Sequence, residues 1–89
     1  MLNLPNSVKI YLATEPTDMR KGPDGLSALV RHKNLDPFSG DLYAFISKRN
    51  DRLKILTWSV GGYVLFYKRL EKGRFKRPVV KPGQDTVML

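Results

Sequence analysis

Eighty-nine residues make one compact domain at most, because domains usually run to about 100–150 residues and smaller ones bury proportionally less surface. With no cysteine there is neither a disulfide framework nor a thiolate metal site, and a single histidine, His32, removes most imidazole chemistry. Sixteen Lys and Arg against eight Asp and Glu leave a net charge of +8, an excess that favours polyanionic partners such as nucleic acid or acidic proteins.

The first strand is expected at residues 8–12, where Val8, Ile10 and Tyr11 supply the β-branched and aromatic side chains that suit a pleated, half-buried surface. Glu15-Pro16-Thr17-Asp18 breaks it. Pro23 then stands where the first turn of a helix tolerates proline, with Asp24 favourably near the helix N-terminus. Leu26, Leu29 and Val30 follow at helical spacing, so a helix over 23–33 is predicted to bury that stripe. Residues 34–40 are dense in turn formers, and Pro37 biases Asp36 away from helical geometry. Three strand-like runs follow, 42–46, 53–58 and 63–67, joined by short connections that make antiparallel neighbours. Residues 72–78 are basic and turn-rich, and 79–89 carry too few apolar residues for an assignment. The expected fold is α+β: a single domain over 1–89 with one helix packed on an antiparallel sheet of three to five strands.

No apolar stretch approaches the roughly 20 residues of a membrane helix, and Met1-Leu2-Asn3-Leu4-Pro5 lacks a signal peptide's charged and apolar regions. The expectation is a soluble, cytoplasmic chain with no membrane partner. Its charge is uneven. Residues 1–47 hold five basic and five acidic side chains, whereas 48–81 hold eleven basic ones against Asp51 and Glu71. Such a split is what a binding surface produces, although cations that keep sheet edges apart add to it.

Four segments together resemble one family. They are Thr17-Asp18-Met19-Arg20-Lys21-Gly22-Pro23-Asp24-Gly25-Leu26, Asp36-Pro37-Phe38-Ser39-Gly40, Lys54-Ile55-Leu56-Thr57-Trp58 and Tyr67-Lys68-Arg69-Leu70-Glu71-Lys72-Gly73-Arg74-Phe75. In this order and at these distances they resemble the Orf2-like, TnpB-type accessory proteins of the insertion-sequence-66 class of bacterial mobile elements, over residues 8–78. The resemblance implies a small protein encoded beside a separate DDE-type transposase and needed for transposition without carrying the strand-transfer chemistry. Family members usually continue into a further apolar segment, so this chain is expected to lack their C-terminal tail. Pro23 departs from the family's more usual apolar or aromatic residue.

Read for chemistry, Asp18, Asp24, Asp36 and Asp41 invite a two-metal nuclease. Each stands beside Gly, Pro or a strand start, where a carboxylate more often bonds backbone N–H groups as a turn or cap. The serines have no activating base near them in sequence, and no catalytic residue, metal or cofactor is expected. The candidate nucleic-acid contacts are Arg49, Arg52, Lys68, Arg69, Arg74, Lys76 and Arg77, with Arg20 and Lys21 in support, because arginine forks to phosphate oxygens and lysine supplies a point charge. Trp58, Tyr63, Tyr67 and Phe75 could stack on unpaired bases, but a domain this small needs two or three of them in its core. The expected function is that of a non-catalytic accessory protein of transposition contacting element DNA, or the transposase–DNA complex, through a basic face. The alternatives are an adaptor that binds the transposase without DNA contact, and a small metal-dependent nuclease.

Overall fold

A computed structural model describes residues 7–89. The reading of Met1–Pro5 as no signal peptide lies outside the described residues. β1 (Ile10–Ala13) is followed by α1 (Pro23–His32), then β2 (Leu42–Ile46), β3 (Arg52–Ser59), β4 (Gly62–Arg69) and β5 (Thr86–Met88). The strands form one sheet in the order β4-β3-β2-β1-β5.

The expected antiparallel sheet is corrected in one respect. β2 pairs antiparallel with β3, and β3 with β4, but β1 runs parallel to β2, with Ile10 beside Leu42 and Leu12 beside Ala44. The cause is α1: a strand, a helix and a strand in succession form a crossover, which returns the chain in its original direction. β5, which carried no sequence signal, closes the other edge by pairing antiparallel with β1, Val87 against Leu12. The sheet is therefore mixed.

Local chemistry sets the ends of α1. Pro23 occupies its first turn with Asp24, and the Leu26 N–H donates to the Gly22 carbonyl at 2.9 Å. At the other end Asn34 takes a positive φ of 59°, its N–H donating to the Arg31 carbonyl while that of Leu35 reaches back to Val30. This pair of bonds satisfies carbonyls that the helix end would leave open, and asparagine tolerates the left-handed turn it needs.

The helix covers one face of the sheet. Leu26 and Val30 are fully buried there with Ala13, Tyr43, Phe45 and Leu56. Ser27, not Leu29, completes the buried side of α1, its hydroxyl donating to the Asp24 carbonyl at 2.9 Å. Leu29 only packs against the core's margin, a correction to the predicted stripe. The opposite face buries Leu12, Ala44 and Ile46, and Phe75 packs on them from the C-terminal segment. Beyond Phe75 that face carries a shallow apolar groove of about 410 Å³ lined by Leu42, Leu53, Ile55, Phe66, Tyr67 and Lys68. Among the described residues no helix is long and apolar enough to cross a membrane.

The turn between β3 and β4 consists of Val60 and Gly61, with φ of 43° and 80°, closed by Ser59 opposite Gly62. Two successive positive φ values give the turn that matches strand twist. Gly61 supplies one at no steric cost, and Gly62, expected in the turn, already belongs to β4.

Two stability measurements follow. Leu26→Ala is expected to cost about 2–5 kcal/mol and Leu29→Ala clearly less, read by urea unfolding, because only the first empties a closed site. Val60 is a β-branched residue in left-handed geometry and fully exposed. Val60→Asn is therefore expected to stabilise by about 1 kcal/mol, raising the thermal midpoint by about 4–8 °C.

Candidate nucleic-acid interface

The period of β3 puts both of its charges on one face of the sheet. Arg52 and Lys54 share the helix side of the sheet with Leu56, while Leu53 and Ile55 point to the other face. The two-residue turn fixes the register, so Arg52 lies directly opposite Arg69, and Lys54 opposite Tyr67. α1 does not reach this end of the sheet. An open cleft of about 790 Å³ is left there, floored by Arg52, Lys54, Leu65 and Tyr67 and walled by the 17–20 loop and the 47–51 turn.

Lys54 builds one wall. Its ammonium donates to the carbonyls of Met19 and Lys21 at 2.7 and 2.8 Å and sits 5.7 Å from the Tyr67 ring centroid. The loop is also held from within, because the Asp18 carboxylate accepts the Arg20 backbone N–H at 2.9 Å and its guanidinium at 2.7 Å. Hydrogen bonding to the Arg20 side chain, then to its backbone, holds Asp18 down to about 2 from 3.8. A depressed carboxylate contributes stability above its unfolded value and loses it as pH falls through the folded value, so this loop contact persists down to about pH 2. Water reaches both partners, which keeps the pair's energetic weight small.

The opposite wall is the β2–β3 turn. Asn50 takes φ of 61° and donates its N–H to the Ser47 carbonyl at 2.9 Å, while the Ser47 hydroxyl accepts the Arg52 N–H at 3.1 Å. Lys48, Arg49 and Arg52 project from this turn, and their side chains make no ion pair or hydrogen bond among the described residues. The segment after β4 wraps the turn from behind. Leu70 and Phe75 donate backbone N–H groups to the carbonyls of Asp51 and Asn50, and the Arg74 guanidinium donates to that of Arg49.

The structure divides the seven predicted contacts. Arg49 and Arg52 line the cleft. Arg69 lies beside Arg52 but pairs with Glu71 at 3.0 Å, which raises its pKa. Lys68 points to the other face and lines the apolar groove. Arg74 braces the turn, and Lys76 is exposed outside the cleft lining. Arg77 is half-buried and committed elsewhere. Its guanidinium donates to the carbonyls of Thr14, Ile46 and Ser47 and to the Asn50 side chain, at 2.6 to 3.1 Å, and burial pushes its pKa down. Supporting Arg20 rims the cleft, and Lys21 offers its carbonyl to Lys54.

The four aromatics separate in the same way. Trp58 and Tyr63 pack edge to face, with ring centroids 4.9 Å apart, and Phe38 lies against both. Phe75 is packed on the second face, and Tyr67 alone is largely exposed. The Asp36–Gly40 motif is accordingly architectural. Asp36 accepts the Phe38 N–H at 2.9 Å, and the hydroxyl of buried Tyr43, its pKa raised by burial, donates to the Asp36 carbonyl at 2.6 Å. Asp41 accepts the Lys9 N–H at 3.0 Å. Asp18, Asp36 and Asp41 thus each accept a backbone N–H, Asp24 stands in the first turn of α1 without a side-chain cap bond, and among the described residues no three acidic or histidine side chains gather as a metal site would require.

The site reading missed Lys48 as a wall of the cleft and Lys54 as the anchor of its loop. A register count outward from Val60–Gly61 would have placed Lys54 and Tyr67 side by side. Nothing in the sequence distinguishes the packed Arg77 from its exposed neighbours.

A mixed α+β sheet with one helix and a cation-lined cleft at its uncovered end defines a small basic module. The chain belongs to the IS66 Orf2-like family, whose model matches residues 8–89, and that membership makes it a transposition-associated accessory protein. It is 43% identical over 84 residues to the uncharacterized protein y4jC of Sinorhizobium fredii, covering 93% of this chain and 72% of that protein. It is 39% identical over 89 residues to the uncharacterized protein y4hO of the same organism, covering 98% and 76%. No solved structure matches the chain.

Arg77 separates a structural role from a ligand-binding one. Arg77→Ala leaves the Thr14 carbonyl and the Asn50 side-chain oxygen without their donor, takes one of two donors from each of the Ile46 and Ser47 carbonyls, and is expected to destabilise the fold by about 2–4 kcal/mol in urea. Arg49→Ala, whose side chain holds nothing, is expected to leave the unfolding midpoint unchanged.

Proposed function

We propose that this chain is a non-catalytic accessory protein of DNA transposition that works in the cytoplasm and contacts element DNA, alone or with a DDE-type transposase, through the cleft and its rim. The observation that supports this most directly is the group of uncommitted cations, Lys48, Arg49 and Arg52, on one turn beside Arg69. Five cationic side chains line the cleft against the carboxylates of Asp18 and Asp51. Asp18 is neutralised by Arg20, and Asp51 accepts the Ser47 hydroxyl at 3.1 Å. Phosphate is the anion whose spacing along a polymer suits several such cations at once. The non-catalytic reading rests on Asp18, Asp36 and Asp41 each accepting a backbone N–H.

The adaptor reading, in which the protein binds the transposase without touching DNA, draws on the apolar groove over Ile55 and Phe66. The two readings part on salt-dependent binding to duplex DNA. If Lys48, Arg49, Arg52 and Arg69 each neutralise a phosphate, the logarithm of affinity falls against the logarithm of salt with slope about −3 to −4. Arg49→Ala with Arg52→Ala is expected to flatten that slope by about 2 and to weaken all sequences alike. Transposase capture with no DNA binding at any salt concentration selects the adaptor.

A further inference from the structure

The cleft contains more than charge. Its floor carries Leu65 and Tyr67, and Tyr67 is 53% exposed on the outermost strand, apart from the Phe38–Trp58–Tyr63 cluster. Lys54, the cross-strand neighbour of Tyr67, is fixed by two carbonyls and lies over the ring, so the aromatic has a rigid support. Beside it, Arg52 and Arg69 face each other across β3 and β4. Like charges directly opposite repel. Glu71 relieves Arg69, but nothing among the described residues relieves Arg52.

An anion is therefore favoured next to an open aromatic, within a volume of about 790 Å³. That volume falls within the range of pockets that enclose a drug-sized molecule, which suits about one or two nucleotides and not a double helix. A duplex keeps its base faces stacked within itself and offers only phosphates and groove edges, so the Tyr67 ring would gain no stacking partner from it. An unpaired strand offers both parts at once.

We infer that the cleft is a binding site for an unpaired DNA strand, with a base stacked on Tyr67 and the flanking phosphates held by Arg52, Arg49 and Lys48. This deepens the DNA-contact reading and rests on it. The 17–20 loop and the 47–51 turn serve as the two banks of the channel, and Lys54 keeps both the loop and the ring in place before the strand arrives.

The test is fluorescence anisotropy on the full chain with three labelled probes: a thymidine oligomer of about 12 nucleotides, a duplex of equal length and a uridine RNA oligomer. The thymidine strand is expected to bind more tightly than the duplex. Tyr67→Leu is expected to weaken the strand about tenfold and leave the duplex unchanged, Tyr67→Phe to retain binding, and Arg52→Ala to flatten the strand's salt slope by about 0.7. In the unsubstituted chain, a bromodeoxyuridine strand is expected to photocrosslink at Tyr67, a readout independent of any variant's folding. Duplex binding as tight as strand binding, with Tyr67→Leu silent, overturns the proposal and leaves the DNA-contact reading standing. No binding to any probe overturns both this inference and DNA contact by the chain alone. Tighter binding of RNA than of the thymidine strand, or a crosslink at Phe66 on the opposite face, overturns the assignment to unpaired DNA in this cleft.

Discussion

The guanidinium of Arg77 is the point at which the two halves of the molecule are joined. β1 and β2 run side by side and then separate, one into the 14–22 loop and the other into the 47–51 turn. Carbonyls at such a fork have lost their ladder partners, and leaving them buried and unpaired costs about 1–3 kcal/mol each. Thr17 donates its N–H to the Ile46 carbonyl at 3.0 Å and Asn50 to that of Ser47 at 2.9 Å, and Arg77, from a segment more than fifty residues beyond Thr17, adds a donor to both and supplies the one for Thr14. Lysine could not do this, because its three donors radiate from a single nitrogen, whereas Arg77 reaches four separate acceptors from three nitrogens spread over a planar fork. Fixing Arg77 also fixes the irregular segment before it, and with that segment Phe75 is laid on the second face of the sheet.

The motifs that mark the family turn out to be joints more than chemistry. The Asp18–Gly22 loop is bonded by Lys54 of the third motif, and the fourth motif wraps the turn that begins β3 through Leu70, Arg74 and Phe75. The second motif closes the far end of the sheet with Phe38 against Trp58 and Tyr63. Motif residues that are far apart in sequence therefore hold one another, while Lys48, Arg49 and Arg52, which line the cleft, lie outside all four motifs. Position in a motif and freedom to meet a ligand are different properties here.

Much of the fold was legible because it is written in local periods. The alternation at residues 53–58 and 63–67 and the stripe of Leu26 and Val30 each report one element's own surface. The parallel pairing of β1 was missed because direction depends on the crossover and not on the strand's own residues. β5 was missed because three residues carry too little pattern to separate from a tail. The concentration of charge in the second half was legible as a sum, but a sum does not separate a guanidinium facing water from one facing carbonyls. Arg52 and Arg77 carry the same charge in sequence and opposite roles in space. Only register and long-range packing distinguish them.

β4 is an outer strand of eight residues with one side of its backbone unpaired, and its side chains include the exposed Val64 and Phe66. A flat, apolar strand edge is a template for another molecule's backbone, and cations along it are a common means of keeping two such edges apart. Lys68 and Arg69 at the end of β4, with Arg52 next to Arg69, place that repulsion on this edge. Ionic strength consequently acts on colloidal behaviour as well as on ligand contacts. At about 1 M salt the Debye length shrinks to about 3 Å, and the repulsion between edges is screened while their apolar attraction is not. Of these edge cations only Arg52 also lines the cleft, so a substitution there that silences binding also removes part of the repulsion that guards this edge.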